Sequence, residues 1–274
     1  MGKLFVVATP IGNMEDITLR AIRILREVSL IAAEDTRKTG RLLAHHGIET
    51  PMVSCFEYNE LARIGQLLLR LARQDVALVS DAGTPGVSDP GYRLITAAIR
   101  AGMEVVPVPG ASAVTAALAV SGLPTDRALY LGFLPRKAGA RRQFLSEVAT
   151  QPYTLIAFEA PHRLLRSLAD IQEMMGDRRL VVARELTKLH EEILRGTVSE
   201  LTAHFAEDSP RGELTLVIEG AQDEDTRWPE SRVRQALLEL LEKGMRRKDA
   251  ARQLASESGW STRDIYELRE ATDQ

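Results

Sequence analysis

The chain has a single cysteine, Cys55, in 274 residues. No disulfide can form within it, and such sparing use fits a reducing compartment. Cys55 is read as a small buried residue rather than a nucleophile. Charge of one sign is also lacking. The formal net charge is −3, so no global positive field draws in nucleic acid, and any such contact must come from local basic patches. Long apolar runs are missing too; none approaches the roughly 18 to 20 residues that span a bilayer. The strand-like run at residues 4–8 is too short for a signal core and has no small-residue cleavage pattern. These absences together predict a cytoplasmic protein. The chain carries neither G-x-G-x-x-G nor G-x-x-x-x-G-K-[ST], which argues against a dinucleotide fold and a P-loop. No Cys/His set has zinc spacing, and no metal is expected. The neighbours His45 and His46 cannot face one point from a helix and read as a solvated helix end. Repeats and low-complexity segments are absent.

The composition, 45% hydrophobic and 27% charged, suits two domains with a sizeable core. Strand-like and helix-like segments alternate through residues 1–122, which predicts a mainly parallel α/β lobe. Residues 123–220 read as a second α/β lobe with a mixed sheet. Within it, residues 193–198 and 213–219 look like antiparallel partners, because polar and apolar residues partly alternate. Residues 221–229 are charged, lack periodicity and read as a linker. Residues 230–274 form a small helical unit resembling a helix-turn-helix, its helices ended by Gly244 and Gly259 and restarted at Ser261. Trp260, at that turn, reads as core.

The stretch from Val79 to Gly91 is the most informative. An apolar strand at residues 76–79 breaks into a loop holding Gly83, Gly86, Gly91, Pro85 and Pro90, and a helix follows. In an open α/β sheet, loops at the carboxyl ends of strands bind ligands, and this composition lets a ligand approach the backbone closely. Two more breaks follow strands, at Thr9-Pro10-Ile11-Gly12-Asn13 and at residues 107–112. Parallel strands would bring all three to one sheet edge and form a cofactor cleft.

At this point the motifs resemble a family. Thr9 to Asn13, Ala33-Glu34-Asp35-Thr36-Arg37, residues 78–92, Val108-Pro109-Gly110-Ala111-Ser112-Ala113, Gly132-Phe133-Leu134-Pro135, Phe158 to Leu164 and Ala183 to Lys188 run in order over nearly the whole chain. They resemble the tetrapyrrole-methylase-like (class III) S-adenosylmethionine-dependent methyltransferases, and within them the branch that methylates a cytidine ribose of 16S rRNA. Thr9 to Asn13 stands where the tetrapyrrole enzymes carry a glycine-rich loop, which points away from a tetrapyrrole substrate. The resemblance implies a two-lobed α/β fold with the cofactor, S-adenosylmethionine, in the cleft between lobes. It implies Pro10, Asp81, Gly86, Val87, Ser88, Ser112, Ala113, Phe158, Arg184 and Leu214 near that cofactor, the small ribosomal subunit as partner, and a homodimer.

Methyl transfer converts a sulfonium to a neutral sulfide, so the site needs acceptors around the donor and an in-line path for the attacking oxygen. A ribose hydroxyl also needs a base or a charge-stabilising cation. Glu34, Asp35, Asp81, Asp89, Glu159, Glu185 and Lys188 are candidates, and the reading favours Asp81, Arg184, Glu185 and Lys188 as catalytic. The same residues at strand ends can instead cap helices or pair with one another. For RNA, the clearest basic run holds Arg136, Lys137, Arg141 and Arg142, with no acid until Glu147. A second patch, Lys243 to Arg252, is balanced by acids. Two competing readings remain: a small-molecule methylase, which would have no use for the run at 136–142, and a ligand-sensing regulator whose last 45 or so residues bind DNA.

Overall fold

The computed structural model describes residues 1–207, 210–222, 228 and 230–268, and the chain divides into two compact units, residues 1–220 and 221–274. Most of the expected linker at 221–229 and the last six residues lie outside the described set.

In the first unit, five short strands alternate with helices: β1 (Lys3–Val7), α1 (Leu19–Glu27), β2 (Leu30–Ala33), α2 (Thr36–His45), β3 (Met52–Ser54), α3 (Glu60–Leu71), β4 (Val76–Val79), α4 (Tyr92–Arg100), β5 (Glu104–Val108) and α5 (Ala113–Ser121). All strand pairs are parallel, in the order β3-β2-β4-β1-β5. Strand β4 shows why the apolar run forms a central strand. Ala77 and Val79 pack with α1 and α2 on one face, and Val76 and Leu78 with α3 and α4 on the other. A strand covered on both faces needs apolar residues throughout, not alternation. Cys55 is buried in the second of these layers, and burial pushes its thiol up to about 11, as expected of an inert packing residue.

A second sheet follows, from β6 (Ala128–Phe133), α6 (Ala138–Val148), β7 (Thr154–Glu159), α7 (Leu164–Met175), β8 (Arg179–Arg184), β9 (Glu192–Thr197), α8 (Val198–Glu207) and β10 (Leu214–Ile218). Its order is β6-β7-β10-β8-β9, with β6 parallel to β7 and the other pairs antiparallel. The expected pairing of residues 193–198 with 213–219 is therefore corrected. Strands β9 and β10 both run antiparallel to β8, on opposite sides of it. Alternation reports which face a residue takes, not which strand lies beside it. Helices α6, α7 and α8 cover one face of this sheet, while Ile156, Val181, Ala183 and Val217 on the other face pack with α5 and Ile11. That shared layer joins the two sheets.

The second unit is helical: α9 (Glu230–Glu242), α10 (Arg247–Ser258) and α11 (Thr262–Glu267). Val233, Leu237, Ala250, Ala251, Leu254 and Ile265 form its core. Trp260 packs against that core and donates its indole N–H to the Trp228 carbonyl at 2.7 Å. Among the described residues no helix is long and apolar enough to cross a membrane.

Candidate active site

The carboxyl ends of β1, β4 and β5 do meet. Thr9 and Gly83 exchange backbone hydrogen bonds of 2.9 and 3.0 Å, and the Ala8 N–H reaches the Val108 carbonyl at 3.1 Å. Gly91 closes the 80–91 loop at φ 124, with space for no side chain: a Cβ there would lie 2.8 Å from Leu78. From the other sheet come the ends of β6, β7 and β8 and the start of β10. Two adjoining cavities form among these segments, and Ile11, Ala82 and Glu213 line both.

The first cavity, about 470 Å³, is lined by Val87, Ser88, Ser112, Ala113, Phe158 and Leu214 together with Tyr130 and Phe133. Phe158 meets the other two aromatic rings edge to face, at 5.5 and 5.3 Å. Among the described residues no lysine, arginine or histidine lines this cavity, but three acids do: Asp89, Glu159 and Glu213. Glu159 is committed to the fold. It pairs with Arg163 and accepts from the Ser167 hydroxyl and, at 2.6 Å, from the Ala160 N–H. Asp89 is in the opposite situation. Burial, reinforced by the nearby charges of Glu34, Asp81 and Glu213 and opposed by the Ser80 hydroxyl, pushes its carboxyl up to about 7.

The second cavity, about 430 Å³, is lined by Pro10, Gly12, Lys38, Thr39, Arg41, Asp81 and Lys188, among others. Asp81 sits in a polar cross-link between strand ends. Its N–H donates to Glu34 at 3.1 Å, and its carboxylate accepts from the Asp35 N–H at 3.0 Å and the Lys38 ammonium at 2.8 Å. Burial, helped by the Asp81 charge, raises the Glu34 carboxyl, whereas the Arg37 guanidinium holds Asp35 far below the usual range. On the opposite side, the Lys188 ammonium is held by Glu185 at 2.8 Å and Glu213 at 3.0 Å. Burial works against charge at both Glu185 and Lys188. Their mutual bond, with Glu213, nevertheless holds Glu185 low and Lys188 high. A carboxylate held low is a poor base.

Of the residues expected on the cofactor, Pro10 and Asp81 line the second cavity, and Gly86 and Arg184 line neither. Of the four expected to be catalytic, only Asp81 and Lys188 reach a cavity wall. Arg184 pairs with Glu192 at 3.1 Å, and Glu185 also accepts the Glu213 N–H at 2.9 Å. The expected basic strip is corrected at one position. Arg141 is 3% exposed, and its guanidinium bonds Asp170. Arg142 also turns to Asp170 and Glu173, leaving Arg136 and Lys137 exposed at the start of the strip.

The loops around the site are clasped. The Asn13 N–H donates to the Thr187 hydroxyl at 3.1 Å. Ser88, Glu185 and Thr187 hold left-handed backbone at φ 59, 51 and 65, a conformation costing about 1–3 kcal/mol where the residue is not glycine, and one that gathers at functional sites. Gly12 has no room: a Cβ would lie 2.4 Å from Lys188 Cγ and 2.9 Å from the Leu186 carbonyl. Gly12→Ala is expected to lower the urea midpoint by the equivalent of about 1–3 kcal/mol. An unchanged midpoint would show that the two loops part without cost.

Similarity to known proteins agrees with this architecture. A family model described as Tetrapyrrole (Corrin/Porphyrin) Methylases matches residues 3–202. A Synechocystis protein named Ribosomal RNA small subunit methyltransferase I is 51% identical over 271 residues, covering 98% of this chain and 97% of the relative. Proteins of the same name from Pseudomonas aeruginosa and Thermotoga maritima are 53% and 50% identical; the first match covers 81% of this chain and 80% of the relative, the second 81% and 100%. Among solved structures, the uroporphyrin-III-C-methyltransferase from Thermus thermophilus superposes with a TM-score of 0.54 at 23% identity, covering 79% of this chain and 94% of that one. The methyltransferase CobJ superposes at 0.62 and 20% identity, covering 81% and 95%. At such identities these structures speak for the fold.

Proposed function

Since the chain belongs to the tetrapyrrole (corrin/porphyrin) methylase family, we propose that it is the S-adenosylmethionine-dependent enzyme that methylates the 2′-oxygen of a cytidine ribose in 16S rRNA of the small ribosomal subunit. The observation that carries this reading is near-full-length similarity, at about half identity, to proteins named for small-subunit rRNA. The first cavity fits the donor. Its volume suits a ligand of that size, its aromatic walls suit an adenine face, and Asp89 and Glu213, with no cation among the described lining residues, favour a positively charged sulfonium.

When bound, S-adenosylmethionine supplies an electrophilic methyl carbon on a charged sulfur. Val87, Ser88, Ser112, Ala113, Phe158 and Leu214 would hold it. Asp89, on that wall and with its carboxyl pushed up by burial to about 7, would accept the proton of the attacking hydroxyl. Lys188 and Asp81 would face the acceptor. Glu185 would fix Lys188, and Arg184 would brace the end of β8. Arg136 and Lys137, exposed and three and four residues beyond Phe133 of the first cavity, would grip RNA phosphates.

Family membership is also the ground for a cytoplasmic homodimer. The test is transfer of labelled methyl to small subunits and to naked 16S rRNA lacking the modification, with free tetrapyrrole as control. Light scattering would give the mass against a 30.3 kDa chain. Label on one ribose 2′-oxygen and a doubled mass are expected. Label on the tetrapyrrole alone would overturn the substrate, and a single-chain mass the dimer.

A further inference from the structure

The wall that α2 contributes to the second cavity has no part in the reading so far. Lys38, Thr39, Arg41 and Leu42 occupy one side of that helix, and all four line the cavity. Thr39 is 4% exposed, and its Oγ1 has no hydrogen-bond partner. A buried hydroxyl left unpaired costs stability unless something else meets it. Arg41 is exposed and has no ion-pair or hydrogen-bond partner among the described residues. Lys38 spends one donor on Asp81 and keeps two. With Lys188 opposite, three cations border this cavity against Asp81 and Glu213. Among the described residues no cation lines the adjoining cavity, whose acids are Asp89, Glu159, already paired with Arg163, and the shared Glu213. The unpaired Arg41 therefore directs an anion to the second cavity, with the two ligands' reacting ends meeting at the shared wall of Ile11, Ala82 and Glu213.

We propose that the second cavity is the acceptor subsite, taking the ribose and adjoining phosphodiester of one nucleotide of the RNA. Arg41 and Lys38 bind the phosphate oxygens and the Thr39 hydroxyl bonds the sugar–phosphate. A guanidinium engages two phosphate oxygens at once, which fixes the backbone and so aims the neighbouring 2′-oxygen at the seam. This assignment rests on the rRNA methyltransferase reading.

The test compares the wild-type protein with Arg41→Gln and Thr39→Val. Arg23→Gln, which removes an exposed guanidinium paired to Glu27 on α1, serves as the charge control. Steady-state transfer to small subunits is measured over a range of salt, alongside cofactor-free binding of small subunits and calorimetric binding of S-adenosylmethionine. Arg41→Gln is expected to raise KM and weaken subunit binding about tenfold, and to reduce the salt slope by about one. Its affinity for S-adenosylmethionine should not change. Thr39→Val should raise KM without changing the salt slope, because it removes no charge. Arg23→Gln should match the wild type. If Arg41→Gln keeps the wild-type KM and slope while the wild type methylates RNA, the subsite is overturned and the function stands. If the wild type transfers no methyl to RNA, the function falls and the subsite with it.

Discussion

Replacing Asp89 with asparagine is expected to lower kcat/KM for methyl transfer by about two to four orders of magnitude, the usual worth of a general base. The pH dependence carries the sharper information. A base must be unprotonated to act, so the wild-type rate should climb through a limb near 7, where burial and the acids around it place the Asp89 carboxyl. In Asp89→Asn that limb should vanish from the residual rate. The same shift predicts how stability behaves. Between its ordinary 3.8 and about 7, the folded chain holds a proton on Asp89 that the unfolded chain has released. The stabilisation tied to that proton is full below 4 and is lost as pH rises through 7. Asparagine is neutral throughout, so the variant should gain stability over the wild type on going from pH 5 to pH 8. A rate collapse together with a gain in urea midpoint at pH 8 identifies a base. A collapse with a lower midpoint at that pH means the loop was damaged, and a retained limb places the base elsewhere.

What the sequence made legible follows from how local each signal is. The loops after β1, β4 and β5 were legible because glycine and proline mark them and because parallel strands force their ends to one edge. The two-sided burial of Val76–Val79 was legible for the same kind of reason, as an unbroken apolar run. The environment of Asp89 was not. Its carboxyl rises first because the fold buries it, and then because β2 and β4 lie side by side and bring Glu34 and Asp81 near it; neither burial nor the adjacency of strands 46 residues apart leaves a local trace. Asp89 stood among seven candidates with nothing to lift it out. Likewise, Lys38, Thr39 and Arg41 look like the ordinary polar side of a helix. Only the cavity beside them shows that a hydroxyl and a guanidinium there lack partners. The burial of Arg141 within the basic strip was hidden from the same cause: its compensating acid, Asp170, is 29 residues beyond it.

That acid is the subject of the largest expected loss of stability. Asp170→Ala should lower unfolding free energy by about 3–5 kcal/mol, because it strands a buried charge. The Arg141 and Asp170 side chains are 3% and 5% exposed, and two guanidinium nitrogens lie 2.7 and 2.5 Å from one carboxylate oxygen. The second oxygen binds Arg142 at 2.8 Å, but that side chain is half exposed. Losing the second bond alone, as in Arg142→Gln, should cost under about 1 kcal/mol. The contrast between Asp170→Ala and Arg142→Gln therefore measures burial rather than the presence of an ion pair. Replacing both buried partners with apolar residues, Arg141→Met with Asp170→Leu, should recover most of the loss, since no charge is then left in the interior. The double variant also separates packing from function. Arg141 donates to the Pro135 and Arg136 carbonyls at 3.3 and 3.4 Å, so the pair ties the loop carrying Arg136 and Lys137 to α7. The double variant should fold like the wild type but hold that loop less firmly. Its urea midpoint should then be close to that of the wild type while its affinity for small subunits falls. Equal loss of stability in the single and double variants would mean that packing around residue 170, not the stranded charge, sets the cost.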